Sequence, residues 1–127
     1  MVDMDITTLI MEQPSCRTKP ALGERPLLTL EQAADLTGIF KVLANENRLR
    51  ILHALVRAKE LRVSELADVV GMSPQAVSNQ LQLLVLRGIL GGRREGPNSH
   101  YRISDPCVIA LLNYGLCLSE EAEERAE

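Results

Sequence analysis

The chain has 127 residues, 46% of them apolar, a net charge of −3 at neutral pH and no Trp. This length and composition predict one globular domain with an aliphatic core. They exclude a transmembrane helix, because the longest apolar run, residues 108–112, is far shorter than a bilayer span. The odd number of three cysteines is not typical of a disulfide framework. Acidic Asp3 and Asp5 lie where a secretory signal would have basic residues, so we expect a cytoplasmic protein.

The acidic side chains are concentrated at the two ends of the chain. Residues 1–40 contain three basic and six acidic side chains, and residues 118–127 contain one basic and five acidic. The middle, residues 41–117, has ten basic against six acidic side chains, a balance of +4. A segment with a net positive charge is able to lie against phosphate groups.

The hydrophobic patterning predicts three segments. Residues 1–26 contain three prolines and no sustained period, which is typical of a flexible arm, with a possible short helix at 6–11. Residues 27–120 have helical and strand periods and are predicted to be the folded domain. Residues 121–127 are predicted to be an acidic tail.

The first two helices have clear start signals. Thr29 begins a capping box with Gln32, and apolar residues at helical spacing continue to Leu43. Asn45 is a good N-cap for the second helix. Its predicted buried stripe consists of Leu49, Ile51, Leu52 and Leu55.

The third and fourth helices are separated by a short turn. A short helix is predicted after Ser64, with Gly71 as its stop. Ser73 then caps a fourth helix with Pro74 at its first position, and Gly88 ends it. The predicted inward residues of the third helix are Leu66, Ala67, Val69 and Val70.

A hairpin and a last helix follow. Residues 89–95 and 99–103 are predicted to be strands joined by a turn at 96–98, and Asp105 with Pro106 opens the last helix. The order of four helices, a hairpin and a helix predicts a mainly α fold with a small β-hairpin. The short, Gly-containing turn at 71–73 is typical of a winged helix-turn-helix.

The fourth helix has two different faces. Its apolar residues Val77, Leu81 and Leu84 follow helical spacing and are predicted to face the core. Short uncharged side chains that hydrogen-bond base edges in the major groove occupy the other face, and Ser73 is placed to hold a phosphate at the helix start. A merely solvated face is the alternative, but residues 73–86 contain no charged side chain at all. The predicted reading residues are Gln75, Ser78, Asn79 and Gln82.

The predicted hairpin has two arginines beside its turn. Arg93 and Arg94 can contact the DNA backbone or minor groove as part of a wing, or they can be ordinary exposed strand residues. His100 either joins the wing contacts or is a surface residue without a role.

Several runs of the chain resemble the ArsR/SmtB family of winged-helix metal sensors. The matching runs are 43–52 for the second helix, 64–67 and 73–81 for the helix-turn-helix, and 88–90, 93–96 and 101–103 for the wing. The resemblance covers about residues 30–120. It implies a homodimer that represses transcription by itself and releases operator DNA when a ligand binds.

The last helix carries two cysteines. Cys107 and Cys117 are ten positions apart, which is roughly 15 Å along a helix and about 80° around it. One copy cannot bring both thiols to one ion, whereas two antiparallel copies across a two-fold axis can. The resemblance implies a site of that kind, with Asp105 and Cys107 at the first two ligand positions and Glu121 at the fourth, although the third falls one residue after Cys117. Either cysteine can instead be a small hydrophobic residue.

Thiolate ligands favour soft ions, so the expected effector is Hg(II), As(III), Cd(II) or Pb(II). Two thiolates suit linear Hg(II), and a third from Cys16 would give the three-sulfur set that As(III) favours. The apo dimer is expected to bind a palindromic operator with its two reading helices about one DNA turn apart. Ion binding would then favour a dimer geometry with the wrong spacing.

Two other functions remain open at this point. A thiol redox or reactive-sulfur sensor would join Cys107 and Cys117 by a disulfide across the dimer, although no Cys-x-x-Cys pair favours reactive thiols. A winged-helix module that binds protein is the other alternative. An enzyme is not expected, because no recognisable motif places His53 or His100 beside a cysteine.

Overall fold

The computed structural model describes residues 19–126, which belong to two compact units. One unit comprises residues 27–104, and the described part of the other comprises residues 19–26 and 105–126. The predicted helix at 6–11 and Cys16 lie outside the described residues.

The unit of residues 27–104 contains four helices and three strands. In chain order they are α1 (Leu30–Leu43), α2 (Glu46–Ala58), β1 (Leu61–Arg62), α3 (Val63–Val70), α4 (Pro74–Leu86), β2 (Leu90–Glu95) and β3 (Asn98–Ile103). Four helices followed by a hairpin confirm the predicted mainly α fold with a small β element.

Local capping chemistry explains where the helices begin. The Thr29 hydroxyl accepts from the backbone N–H of Gln32 at 3.1 Å, and the Gln32 side chain accepts from the Thr29 N–H at 3.0 Å. The Asn45 side chain accepts from the N–H of Arg48 at 3.0 Å and caps α2. These bonds satisfy backbone donors that have no partner inside the helix. The predicted capping box and N-cap are therefore confirmed.

Helix α3 begins earlier than predicted. It starts at Val63, and its N-cap is Arg62, whose N–H donates to the Glu65 side chain at 2.9 Å. The prediction of a start after Ser64 was therefore wrong by two residues. Val69, predicted to lie inside, is 56% exposed, because the buried face of so short a helix is filled by Leu66, Ala67 and Val70.

The short strand β1 was not predicted, because two residues carry no readable period. It pairs antiparallel with β3, so that Leu61 faces Tyr101 and Arg62 faces His100. The sheet therefore has three strands in the order β1-β3-β2. Gly96, with φ 61°, provides the left-handed turn residue that the β2–β3 connection needs.

The core lies between α2, α3, α4 and the start of β2. Its fully buried side chains include the predicted inner face of α4. Leu49 of α2 was predicted in the buried stripe, but it is 39% exposed. The largest fully buried residues are Ile51, Leu52, Leu55, Leu66, Val77, Leu81 and Leu84.

The other unit contains a 3-10 turn, Leu22–Glu24, and the helix α5, Pro106–Ala126. The Asp105 side chain accepts from the N–H of Cys107 at 2.9 Å, which satisfies a donor in the first turn of α5. Residues 121–126, predicted as a tail, form the last turns of this helix. Within residues 19–126 no helix is both long and apolar enough to cross a membrane.

Candidate nucleic-acid interface and thiol pair

The outer face of α4 is uncharged and exposed to solvent. Gln75, Asn79 and Gln82 are exposed and Ser78 is half-buried, whereas Val77, Leu81 and Leu84 on the opposite side are fully buried. The Gln75 amide donates to the Asn79 side chain at 3.0 Å, one helical turn away. This bond engages the Asn79 side-chain oxygen as its acceptor. The face can form paired hydrogen bonds with base edges.

Ser73 lies exposed at the start of α4. Its hydroxyl oxygen accepts from the N–H of Ala76 at 3.2 Å, and its own hydrogen remains available to a further acceptor. Pro74 has no N–H and fits the first helical position. The free end of the helix dipole and the serine hydroxyl together suit a phosphate oxygen.

Two arginines of α2 hold the helix-turn-helix in place. The Arg48 guanidinium donates to the Gln80 side chain of α4 at 2.6 Å and to the backbone carbonyl of Val42 in α1 at 3.0 Å. Arg50 donates to the carbonyl of Val70 at the end of α3, also at 3.0 Å. Sequence reasoning missed both arginines, because a cation inside a helical pattern does not reveal which distant carbonyl it will find.

The two wing arginines have different surroundings. Arg93 pairs with His100 in the ladder and Arg94 pairs with Ser99, so their side chains point to opposite faces of the hairpin. The Arg93 guanidinium donates to Glu60 at 2.7 Å and to Glu95 at 2.6 Å. These bonds lower the pKa of both carboxyl groups and raise that of Arg93. Arg94 is exposed and has no ion-pair partner within residues 19–126.

A groove of about 430 Å³ lies between the end of α4 and the wing. Its helix side is formed by the last turns of α4 and its other side by β2 and β3, with Arg94 and Ser99 at the wing edge. Its lining residues are Gln82, Val85, Leu86, Gly92, Arg93, Arg94, Ser99 and Tyr101.

The predicted thiol ligands lie on α5. Cys107 is half-buried in its first turn, and Cys117 is exposed further along, with its sulfur 3.7 Å from an oxygen of Glu121. The charge of Glu121 is the main cause that raises the pKa of the Cys117 thiol. Asp105, the other predicted oxygen ligand, accepts from a backbone N–H. Within residues 19–126 no three His, Cys, Asp or Glu side chains are grouped closely enough to hold an ion.

Known proteins match this arrangement. A family model described as a helix-turn-helix domain matches residues 43–91. The cadmium resistance transcriptional regulatory protein CadC of Listeria innocua is 34% identical over 86 residues, which are 68% of this chain and 72% of CadC. The crystal structure of the AntR antimony-specific transcriptional repressor is 57% identical, covers 84% of this chain and 96% of AntR, and has a TM-score of 0.73. The chain belongs to the ArsR/SmtB family.

The predicted winged helix-turn-helix is confirmed by the structures that this ArsR/SmtB protein resembles. One is the homodimeric winged helix-turn-helix DNA-binding domain of Mb0332 from Mycobacterium bovis, which is 31% identical, covers 80% of this chain and 95% of that one, and has a TM-score of 0.68. The ArsR/SmtB family consists of DNA-binding transcriptional regulators. Membership of this family makes DNA the ligand against which the surface of α4 and the wing should be considered.

Proposed function

We propose that this chain is a repressor that binds operator DNA as a homodimer and releases it on binding a thiophilic metal or metalloid ion. The observation that carries the DNA-binding part is the exposed, charge-free outer face of α4 beside an unpaired arginine on the wing. Arg94 lies on the edge of the hairpin that lines the groove next to α4. In this proposal Ser73 holds a phosphate at the start of α4, and Arg94 contacts the DNA backbone near the other end of that helix.

Base reading is the role of four polar residues on the outer face of α4. Asn and Gln amides form two hydrogen bonds with an adenine edge, and a serine hydroxyl bonds either a base or a phosphate. The Gln75–Asn79 hydrogen bond supports this role, because it fixes both amides before DNA arrives. The proposed reading residues are Gln75, Ser78, Asn79 and Gln82.

Dimerisation is supported by apolar side chains that the single chain leaves in water. On α1, Leu30 is 91% exposed and Phe40 is 48% exposed, and α5 exposes Leu116 and Leu118. Large apolar residues concentrated on two helices mark surfaces that another subunit covers. The homodimeric Mb0332 domain supports the same assembly for this chain.

The proposed effector site combines Cys107 of one protomer with Cys117 of its partner. Ten residues of helix separate the two thiols by roughly 15 Å, so a shared ion needs two antiparallel copies of α5. Asp105 and Glu121 are neighbouring oxygen ligands in this proposal, and Cys16 is a third sulfur. The redox alternative is weaker, because the sequence has no Cys-x-x-Cys pair that would favour reactive thiols.

Soft trivalent metalloids are the effectors that this donor set favours. Sulfur ligands select soft ions, and three thiolates around one ion suit As(III) and its heavier congener Sb(III). The 57% identity to AntR, an antimony-specific repressor, supports Sb(III) in particular. The similarity to CadC keeps Cd(II) among the ions to be tested, with Hg(II) and Pb(II).

The decisive experiment is a complementation between two variants. Cys107→Ser and Cys117→Ser each remove one half of every shared site, so neither homodimer should bind the ion. When the two variants are mixed and allowed to exchange subunits, about half of the dimers are mixed, and each has one intact site of two. Thiolate-to-metalloid absorption on titration with antimonyl tartrate or arsenite should then recover to about one quarter of the wild-type value.

The same mixture separates the proposal from its alternatives. If both thiols of a site came from one chain, mixing would restore no absorption. If Cys107→Ser and Cys117→Ser each released operator DNA at the wild-type ion concentration, the thiol pair would not be the effector site. A wild-type dimer that binds no duplex at all would refute the repressor itself.

A further inference from the structure

Arg93 and Arg94 are adjacent in the sequence and share a charge, yet their side chains have different partners. All three guanidinium nitrogens of Arg93 donate to carboxylates: Nε and Nη2 to Glu60, and Nη1 to Glu95. The Glu60 contact spans 33 residues of sequence and reaches the segment just before β1. It therefore ties the wing to the connection between α2 and β1.

The charge around Arg93 does not favour phosphate. One arginine with Glu60 and Glu95 gives this cluster a net charge of −1. A phosphate that approached Arg93 would have to displace a carboxylate at 2.7 Å and come close to the other. His100 lies beside the same cluster, with its Nδ1 3.8 Å from Glu60, and is partly buried.

Arg94 has the opposite environment. It lies on the hairpin face that carries Ser99, its ladder partner, and it lines the groove against Gln82 of α4. Within the part of the chain that the structure describes, no carboxylate pairs with it. Arg94 therefore brings a positive charge that no described carboxylate neutralises to the groove that Gln82 of α4 also lines.

We propose that Arg93 is a positioning residue, which clamps the wing to Glu60, and that Arg94 is the cation that the wing presents to the DNA backbone. This inference rests on the proposed DNA-binding function and revises the expectation that both arginines contact DNA. The clamp is needed because the tip of the hairpin, residues 94–98, is exposed and no core residue lies beyond Leu90 in β2. An unclamped tip would lose conformational entropy when it docks.

The substitution Glu60→Gln tests the proposal by the sign of its effect. It removes the anchor and keeps the positive charge of Arg93, so a positioning role predicts weaker DNA binding. Exposed ion pairs contribute little individually, and with one in each of two wings we expect a loss of roughly fivefold in affinity. If Arg93 instead bound phosphate, Glu60→Gln would free it and remove a repelling charge, and binding would become tighter.

The assay measures fluorescence anisotropy of a labelled duplex that the wild-type dimer has selected from a random pool. Arg93→Gln and the double variant with Glu60→Gln should each bind about as weakly as Glu60→Gln alone, because the pair acts as a unit. Arg93→Lys should also weaken binding, since an ammonium cannot make the two-pronged contact. The exchanged pair, Glu60→Arg with Arg93→Glu, should recover most of the affinity. Arg57→Gln, an exposed arginine of α2, is the matched control for loss of one charge.

Two further readouts identify the role of each arginine. Arg94→Gln should reduce the slope of log affinity against log salt by about 0.9 for each lost phosphate contact. A shortened duplex keeps the two major-groove sites but lacks the flanking DNA that the wings would contact. On this duplex Glu60→Gln should bind as tightly as the wild type. A general folding defect would instead weaken binding to both duplexes. If the wild type selects a duplex and Glu60→Gln binds that duplex equally or more tightly, this inference alone is overturned. A wild type that selects none would overturn the proposed function with it.

Discussion

The orientation of α4 can be tested with one substitution made at two sites of the same helix. Leu81 is 0% exposed and Leu86 is 81% exposed. Leu81→Ala removes three buried carbons, worth about 0.8 kcal/mol each, or roughly 2.4 kcal/mol of transfer free energy. The cavity left behind adds to this, so we expect a loss of about 3 to 4 kcal/mol in the free energy of unfolding. Leu86→Ala removes the same atoms from water and should cost less than about 0.5 kcal/mol.

Urea unfolding followed by far-ultraviolet circular dichroism measures both values. The two variants and the wild type have to be compared at one protein concentration, because the stability of a dimer depends on it. The slope against urea should stay the same, so that the midpoint reports stability alone. A loss for Leu86→Ala as large as that for Leu81→Ala would refute the orientation of α4. The polar face proposed to read DNA would then not be the exposed one.

Three further predictions concern the reading face, the thiol and the subunit contact. Asn79→Ala should weaken binding to the selected duplex by at least about fivefold, the lower end of a base-edge contact, and leave binding to a random duplex unchanged in the same anisotropy assay. An equal loss on both duplexes would exclude base reading by this residue. Glu121→Gln should lower the pKa of Cys117 towards its ordinary value, because the carboxylate charge that disfavours the thiolate is gone. Iodoacetamide should then modify Cys117 faster at pH 8, as measured by peptide mass spectrometry, and the difference should disappear at a pH above both pKa values. Glu123→Gln, the same change on the same helix at a residue that does not shift this pKa, should leave the rate unchanged. Phe40→Glu should shift the protein from dimer to monomer in sedimentation equilibrium, because it places a charge on the exposed apolar side of α1. An unchanged mass would show that this side of α1 lies outside the subunit contact.

Features set by neighbours in the sequence were predictable. The capping box at Thr29, the N-cap at Asn45 and the Ser73–Pro74 start of α4 depend on side chains three positions away or nearer. The inner face of α4 follows from helical spacing alone, since Val77, Leu81 and Leu84 are the apolar positions one and two turns apart. These local rules were enough to predict the order of the helices and the wing.

Features that depend on distant partners were not predictable. The bond from Arg48 to Gln80 spans 32 residues, and the pair of Arg93 with Glu60 spans 33. A periodic pattern gives the face on which a charged residue lies but not the group opposite it. For this reason the sequence did not show that the Arg93 side chain donates to two carboxylates.

The effector site has a similar limit. Cys107 and Cys117 were predicted as ligands from the family resemblance, and their distance along one helix shows only that a single chain is insufficient for a shared site. The ion that such a site would select depends on the donors that a second copy would bring close. The mixed-dimer titration addresses that arrangement directly.

If α4 reads bases as proposed, the lack of any ionisable side chain in residues 73–86 separates how this protein finds DNA from how it chooses a sequence. Attraction over several ångströms has to come from arginines elsewhere, and it weakens as salt is added. Hydrogen bonds between amides and base edges form only after contact and are little affected by ionic strength. A change in the salt content of its surroundings should therefore alter how often the protein arrives at a duplex, while its ranking of one base pair over another stays the same.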